Sequence, residues 1–453
     1  MKIIVVGCGK IGRTIAEQLN NENHEVIIID NDRDIVEQVS SEIDVMSMVG
    51  NGATYNVLKQ AGVAKADLVI AVTPEDEVNM LCCLIAKKIG AKHTIARIRN
   101  PEYAEEIDYI KDELGLSMYL NPERATANEI AKLLRFPSAI EVDTFAKGRI
   151  EILNIELKEG SHLTNSTISE NFKKLKSHVL VCAVRRGDET FIPDGSFELK
   201  LGDKVSILAS SYNMDEFFRN AHIQDARIKN AMIVGGGMIA FYLAELLVRA
   251  GITTKIIERD EERCEELSTM LGNSVEVICG DGSDKLVLEE EGLSSEGAFV
   301  ALTNIDEENI MLSLYAKTVS KAKAITKIDH MAFTNIVDKL DIGVKIYPKE
   351  IAAEYIIRYV RAMQNGYNKI QALYRIAEGG AEAFEFRVPA NSRMIGPTLA
   401  ELKLKKNVLV CSINRYGNIY TPKGSDTIQE GDIIIIVTTL SGLSDLDDFL
   451  EDE

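Results

Sequence analysis

No run in this chain approaches the ~18 consecutive apolar residues that a membrane-spanning helix needs. The longest candidate, IIIIVTTL at Ile433 to Leu440, has the length of a strand. The N-terminus has neither a basic flank nor a small-residue cleavage site, so no secretory signal is expected. Basic charge is in deficit: 51 Lys and Arg stand against 70 Asp and Glu, a formal net charge of −19 with a pI near 5.0. A surface so acidic repels nucleic-acid phosphates and argues against such a partner, while leaving room for local basic patches. The seven cysteines are an odd number and include no C-x-x-C pair. Cys82 and Cys83 fall in an apolar helical run, and Cys8, Cys182, Cys279 and Cys411 in apolar strands or at their ends. Buried, reduced thiols and a cytosolic compartment are expected, with an oxidisable Cys8 as the alternative at one position. No metal site is expected.

What is present begins at residue 2. KIIVVGCGKIG is a buried-strand pattern running into Gly7, Gly9 and Gly12. The spacing assigns Gly7 to the tight turn after the strand, Gly9 to backbone approach toward a phosphate, and Gly12 to close helix–sheet packing. The helix that follows would aim bare N–H groups and its positive dipole end at that phosphate. Asp30 ends the second strand, where a carboxylate accepts from ribose hydroxyls and repels a 2′-phosphate. NAD(H) or another adenine nucleotide is therefore favoured over NADP. Gly50, Asn51 and Gly52 close the third strand, where an adenine edge would lie. Thr73 and Pro74 close the fourth, beside the crevice. Asn79 is either near that crevice or a helix cap. Arg97 ends the fifth strand and pairs either with a phosphate or with Glu75, Asp76 or Glu77.

The chain repeats itself. MKIIVVGCGKIG returns as NAMIVGGGMIA, so Gly7 matches Gly235, and Asp30 likewise matches Glu258. Gly50 matches Gly280, Thr73 matches Thr303 and Asn79 matches Asn309. The match extends to HVLVCAVRRGDETFIPDG at His178, which returns as NVLVCSINRYGNIYTPKG at Asn407. The order is large, small, large, small: residues 1–140, 147–225, 228–365 and 373–453, with joints near Lys147, Asp225 and Glu378–Gly380. Each large unit alternates near-continuous apolar strands with amphipathic helices. The first has strands at Ile3–Val6, Val26–Asp30, Val45–Val49, Leu68–Val72, Thr94–Arg97 and Ser117–Leu120. That pattern implies an α/β fold, a doubly wound parallel sheet covered on both faces. Each small unit reads as a small α/β domain with a mainly antiparallel sheet.

A dehydrogenase would also need a positioned acid or base. The six histidines are His24, His93, His162, His178, His222 and His330, and none recurs at its repeat partner. His330 follows the strand ending near Lys327, but the first repeat carries Asn100 there, which favours a surface loop. No catalytic residue is expected, and an NAD-dependent oxidoreductase is the disfavoured alternative.

The motifs GCGKIG, IDND, GNGAT, AVTPEDEVN and ARIRNPEY, followed by a small strand-rich domain and then repeated, resemble the TrkA family of tandem RCK (KTN) proteins, peripheral subunits of Trk potassium-uptake systems. The resemblance covers essentially the whole chain, in the order RCK_N, RCK_C, RCK_N, RCK_C. It implies two Rossmann-like RCK_N domains that bind NAD(H), and also ATP or ADP. It implies a cytoplasmic homo-oligomer, a tetramer for preference, peripheral on the inner membrane face. It further implies gating of a TrkH-like membrane-embedded potassium channel subunit by ligand occupancy. A regulator of a different potassium channel or of an antiporter shares the fold. Carried to this chain, the first site would use Gly7, Cys8, Gly9, Lys10, Ile11, Asp30, Thr73, Pro74 and Arg97. The second would use Gly235, Gly236, Gly237, Met238, Ile239, Glu258, Asp281, Thr303, Asn304 and Lys327. The second half departs from the pattern twice: Ala240 stands where the third glycine would be, and Lys327 where the first half has Arg97. The first half is therefore expected to bind nucleotide more tightly.

Overall fold

A computed structural model describes residues 1–451 except 137–138, 146–148, 159–160, 162, 176–178, 221–227, 330–336, 338, 365–369, 378, 441 and 444. The joints named at Lys147, Asp225 and Glu378 lie outside the described residues, as do His162, His178, His222 and His330.

The chain forms two compact units, each assembled from both halves of the sequence. The first comprises Met1–Ala131 and Lys229–Ile357. Its N-terminal part runs β1 (Lys2–Val6), α1 (Lys10–Asn21), β2 (Glu25–Asp30), α2 (Arg33–Glu42), β3 (Met46–Val49), α3 (Tyr55–Gln60), β4 (Leu68–Ala71), α4 (Asp76–Ile89), β5 (His93–Arg97), α5 (Pro101–Ile110), β6 (Met118–Leu120) and α6 (Pro122–Arg135). The six strands form one parallel sheet in the order β3-β2-β1-β4-β5-β6. The order reverses between β1 and β4, which places a crevice beyond the carboxyl ends of those strands. The second half repeats the sheet with strands Val275–Cys279, Thr253–Glu258, Asn230–Val234, Ala298–Ala301, Lys323–Lys327 and Val344–Ile346, in the same spatial order.

The central strands are buried on both faces, as their unbroken apolar sequence requires: Ile3, Ile4 and Val5 are fully enclosed. Each such side chain contributes about 1.5–3 kcal/mol through burial. Helix α1 lays Gly12, Ile15, Ala16 and Leu19 on the sheet, a single stripe at helical spacing, and keeps a polar face. The equivalent helix of the second half, Met238–Arg249, is apolar on more than one face and buries Ala240, Phe241, Tyr242, Leu243, Ala244 and Leu247. The reason is a second contact. The Tyr242 hydroxyl lies 3.1 Å from Asn121 Nδ2 and 3.2 Å from the Arg99 carbonyl, so this helix is covered by the first half as well as by its own sheet.

The second unit comprises Lys132–Ile228 and Arg358–Glu453 and contains two five-stranded antiparallel sheets. In the first, Ile150–Glu156 pairs with Lys204–Ser210 although nearly fifty residues separate them in the chain. The strand Ala139–Phe145, which the sequence reading left in the first joint, extends this sheet, and Ile370–Ile376 does the same for the second. Helices Ile168–Leu175 and Ser211–Asn220 supply the α component. The two sheets share one hydrophobic core, in which Phe145, Ile152 and Cys182 meet Ala383, Cys411 and Ile435. Each sheet also carries the same buried ion pair. Asp203 binds Arg186 through two bonds of 2.7 Å, and Asp432 binds Arg415 through bonds of 2.9 and 2.7 Å.

Candidate functional site

The turn after β1 explains the first glycine. Gly7 has φ +95°, and a Cβ there would lie 2.8 Å from the Thr73 backbone nitrogen, so no side chain fits. Helix α1 then starts at Gly9 without a side-chain cap and without an acid in its first turn, and the Gly237 helix starts in the same way. By contrast α2 is capped by Asp32 and carries Asp34 in its first turn. The two glycine-loop helices thus keep their orphan N–H groups and positive dipole ends available.

Gly12 and Ala240 show how far the two loops differ. A Cβ on Gly12 would come within 1.9 Å of the Gly7 carbonyl oxygen. The second loop carries a real Cβ at this position, and Ala240 is fully buried there. The first loop is therefore wound more tightly against its helix than the second.

Asp30 holds the loop itself. Its Oδ2 accepts the Cys8 N–H at 2.6 Å, and its Oδ1 accepts the Asp32 N–H at 3.0 Å. Glu258 repeats this: its Oε2 accepts the Gly236 N–H at 2.6 Å and its Oε1 the Arg259 and Asp260 N–H groups at 2.8 and 3.0 Å. A carboxylate has about four acceptor sites, so ribose hydroxyls still find lone pairs. Cys8 is buried, and burial together with Asp30 pushes its thiol up to about 12, which disfavours the thiolate form there. Cys279 departs from expectation: it is exposed, at the end of its strand, whereas the other six cysteines are buried.

Asn79 is neither ligand-facing nor a cap. Glu75 occupies the N-cap of α4, and Asn79 is fully buried. Its Oδ1 accepts the Thr73 N–H at 2.8 Å, and its Nδ2 donates to the Thr73 and Arg97 carbonyls at 3.1 and 3.0 Å. Asn309 makes the same bonds to Thr303 and Lys327. Each asparagine clamps the ends of two neighbouring strands at the crevice. The Thr73 hydroxyl, 2.8 Å from Asn79 Oδ1, belongs to this clamp.

Arg97 chooses a partner the sequence reading did not name. It pairs with Glu123, the second residue of α6, at 3.4 Å, rather than with Glu75, Asp76 or Glu77. Its carbonyl strand end and the α6 start are adjacent because β5 and β6 pair side by side. Burial lowers the Arg97 pKa, against the opposing pull of Glu123. Its Nε, the Nε of Arg99 and Glu123 Oε2 are buried without a hydrogen-bond partner. Buried polar atoms in this state are rare in folded proteins.

These pieces surround one cavity of about 840 Å³. Gly7, Gly9, Lys10, Ile11, Asp30, Asn51, Gly52, Thr73, Pro74 and Arg97 line it, together with Gly237, Met238, Ile239, Asn304 and Lys327 of the second half. Cys8, Gly12, Gly235, Gly236, Glu258, Asp281 and Thr303 do not. The two glycine loops thus open onto a shared space, dominated by the first half's residues. Arg99, Glu123, Asp329 and Lys349 also line it and were not foreseen. The signal for Arg99 was available, two residues beyond Arg97 in ARIRNPEY. In the second half Lys327 is already engaged, with Thr303 O at 3.1 Å and Asp329 at 3.1 Å. Arg263 also closes over the second loop, donating to the Gly236 carbonyl at 2.8 Å, where the first half has Ile35. Among the described residues no cluster of three or more His, Cys, Asp or Glu side chains is placed to hold a metal, and no helix is long and apolar enough to cross a membrane.

Comparison with known proteins finds two domain types, each matched twice. The TrkA-N domain matches residues 3–122 and 231–348, and the TrkA-C domain matches 152–222 and 383–451. The Trk system potassium uptake protein TrkA homolog of Archaeoglobus fulgidus is 33% identical over 436 residues, covering 96% of this chain and 97% of the relative. The Trk system potassium uptake protein TrkA of Haemophilus influenzae is 30% identical over 444 residues, covering 96% and 95%. Both names describe potassium uptake rather than a catalysed reaction. Among solved structures, the GsuK channel bound to NAD superposes with a TM-score of 0.64 at 17% identity, over 96% of this chain and 76% of that one. The GsuK RCK domain gives 0.63 at 17% identity, over 96% and 92%. At that identity the likeness is one of fold. With both domain types matched twice, in tandem order, and relatives aligned along nearly the whole length, this chain belongs to the TrkA family of Trk potassium uptake proteins.

Proposed function

We propose that the protein is the cytoplasmic, nucleotide-binding regulatory subunit of a Trk-type potassium uptake system, and that NAD(H) or ATP/ADP in the shared cavity gates a TrkH-like membrane subunit. The observation that carries this is the pairing of two uncapped glycine-loop helices with the Arg97 and Arg99 side chains around one cavity. Helix N-termini and guanidinium forks are the chemistry of phosphate capture. Asp30, with its remaining lone pairs, takes the ribose hydroxyls and disfavours a 2′-phosphate. The solved relatives bound to NAD and, at TM-score 0.50 and 15% identity, to ADP make both nucleotides reasonable probes. The protein acts as a homo-oligomer, with a tetramer as the favoured size, since symmetric closure is the usual solution for such rings.

A ligand in this cavity touches both halves, so it biases their arrangement by its differential affinity for two states. A coupling of about 1–3 kcal/mol would change the open-to-closed ratio of the membrane partner roughly 5- to 150-fold. The test is potassium flux through the reconstituted membrane subunit, with Asp30→Ala and Glu258→Ala assayed separately under NADH, NAD, ATP and ADP. The proposal expects Asp30→Ala to blunt the nucleotide response more than Glu258→Ala. A full response in both variants would remove the cavity from the gating mechanism.

A further inference from the structure

The second half carries a pair of thiols that the first half lacks. In the parallel register of the second large sheet, Glu258 lies opposite Cys279. The Cys264 thiol, on helix Glu261–Leu271, sits 3.3 Å from the Glu258 carbonyl oxygen. It therefore reaches the end of the very strand pair to which Cys279 belongs, one register partner away from the Cys279 backbone. Cys264 is buried and Cys279 is exposed. At the corresponding positions the first half has Val36 and Val49, the latter opposite Asp30 in the same register. The fold thus supports a hydrocarbon at both places, and the second half has a dithiol instead, beside the acid that holds its glycine loop.

We propose that Cys264 and Cys279 form a reversible, peroxide-oxidisable dithiol site. The exposed Cys279 reacts first. Its thiolate sulfur attacks one peroxide oxygen, the S–O bond forms as the O–O bond breaks, and the departing hydroxide takes up the proton released by the thiol, leaving a sulfenic acid and one water. The Cys264 sulfur then attacks the sulfenic sulfur. The S–S bond forms, the S–O bond breaks, and the hydroxyl leaves with the Cys264 proton as a second water. Two electrons pass from the two sulfurs to the peroxide, and a small dithiol returns them on reduction. Burial and the neighbouring thiol push Cys264 up to about 12, which fits it to the resolving step rather than the first attack. The disulfide would replace the S–H that faces the Glu258 carbonyl and tie helix Glu261–Leu271 to the strand end at Cys279.

The test is peroxide titration of the full-length protein, followed by differential alkylation and peptide mass spectrometry. The expected result is a Cys264–Cys279 linked peptide, loss of two of the seven free thiols per chain, and full recovery with dithiothreitol. Cys264→Ser should convert the product to Cys279 sulfenic and sulfinic acid without any linked peptide. Cys279→Ser should leave Cys264 reduced at the same peroxide dose. Conservative Cys264→Val and Cys279→Val, copying the first half, should fold normally and resist oxidation at both positions. A wild type whose Cys279 is over-oxidised while Cys264 stays free, or which cross-links Cys279 between chains, or in which neither thiol reacts, would overturn the proposal.

Discussion

Gly12 and Ala240 occupy the same step of two loops, yet only one of them has room for a methyl group. The 1.9 Å approach of a built Cβ to the Gly7 carbonyl means that Gly12→Ala must unwind the first loop. Nucleotide affinity in the first half should fall by roughly tenfold or more, about 1.4 kcal/mol, as the loop N–H groups lose their aim. The reverse change, Ala240→Gly, removes a methyl that packs without strain and should cost about 1 kcal/mol of stability with little effect on affinity. Denaturation curves and calorimetry on both variants separate the two effects. Equal behaviour of the two variants would mean that the loops are equivalent. The asymmetry itself was legible in the sequence, because a glycine was replaced by alanine. The size of the clash was not, because it depends on how the backbone carbonyl of Gly7 is turned.

Between elements, the polar clamps matter more than the strand pattern suggests. The β-α-β order and the six strands of each large unit could be read from alternating apolar runs, and the edges of the strands agree with that reading to within a residue or so. What side chains do at the strand ends could not be read, because it depends on partners brought near by folding. Arg97 finds Glu123 across 26 residues of chain, while Asp76 accepts from the Arg99 and Asn100 N–H groups and Glu77 from the Tyr103 hydroxyl. Asn79 looked like a helix start and is instead a clamp inside α4, repeated at Asn309. Replacing Asn79 by Ala leaves the Thr73 N–H and the Arg97 carbonyl without their partner in a buried place. A loss of about 2–4 kcal/mol is expected in urea unfolding, since each orphaned group costs about 1–3 kcal/mol. A loss below about 1 kcal/mol would show that water takes over the clamp. In the second unit, Asp203 is fully buried and held by the two-pronged Arg186. Asp203→Ala should destabilise this unit by about 3 kcal/mol, the low end for breaking a buried pair because Arg186 is a third exposed. The matching substitution at Asp432 should do the same within about 1 kcal/mol, measured by thermal unfolding.

For the molecule as a whole, the internal repeat announced four domains, but not that like would group with like. The two large domains share one unit and the two small domains another, each unit drawing on both ends of the chain. Apolar surface explains the grouping. The Met238–Arg249 helix is hydrophobic around more of its circumference than one sheet can cover, and the small sheets present Cys182 and Cys411 to a common core. Sequence periodicity reports which residues are apolar, and not which neighbour will cover them. The consequence for function is that residues of both glycine loops line one cavity. The central claim is that an adenine nucleotide occupies this cavity with its ribose on Asp30. Isothermal titration of the intact protein with NADH, for the wild type and Asp30→Ala, tests it most directly. The account predicts saturable binding by the wild type and an affinity weaker by about 1–3 kcal/mol in the variant, since the proposed site puts the ribose on the carboxylate that already holds the loop. Equal affinities, or no binding of NADH, NAD, ATP or ADP by the wild type, would contradict it.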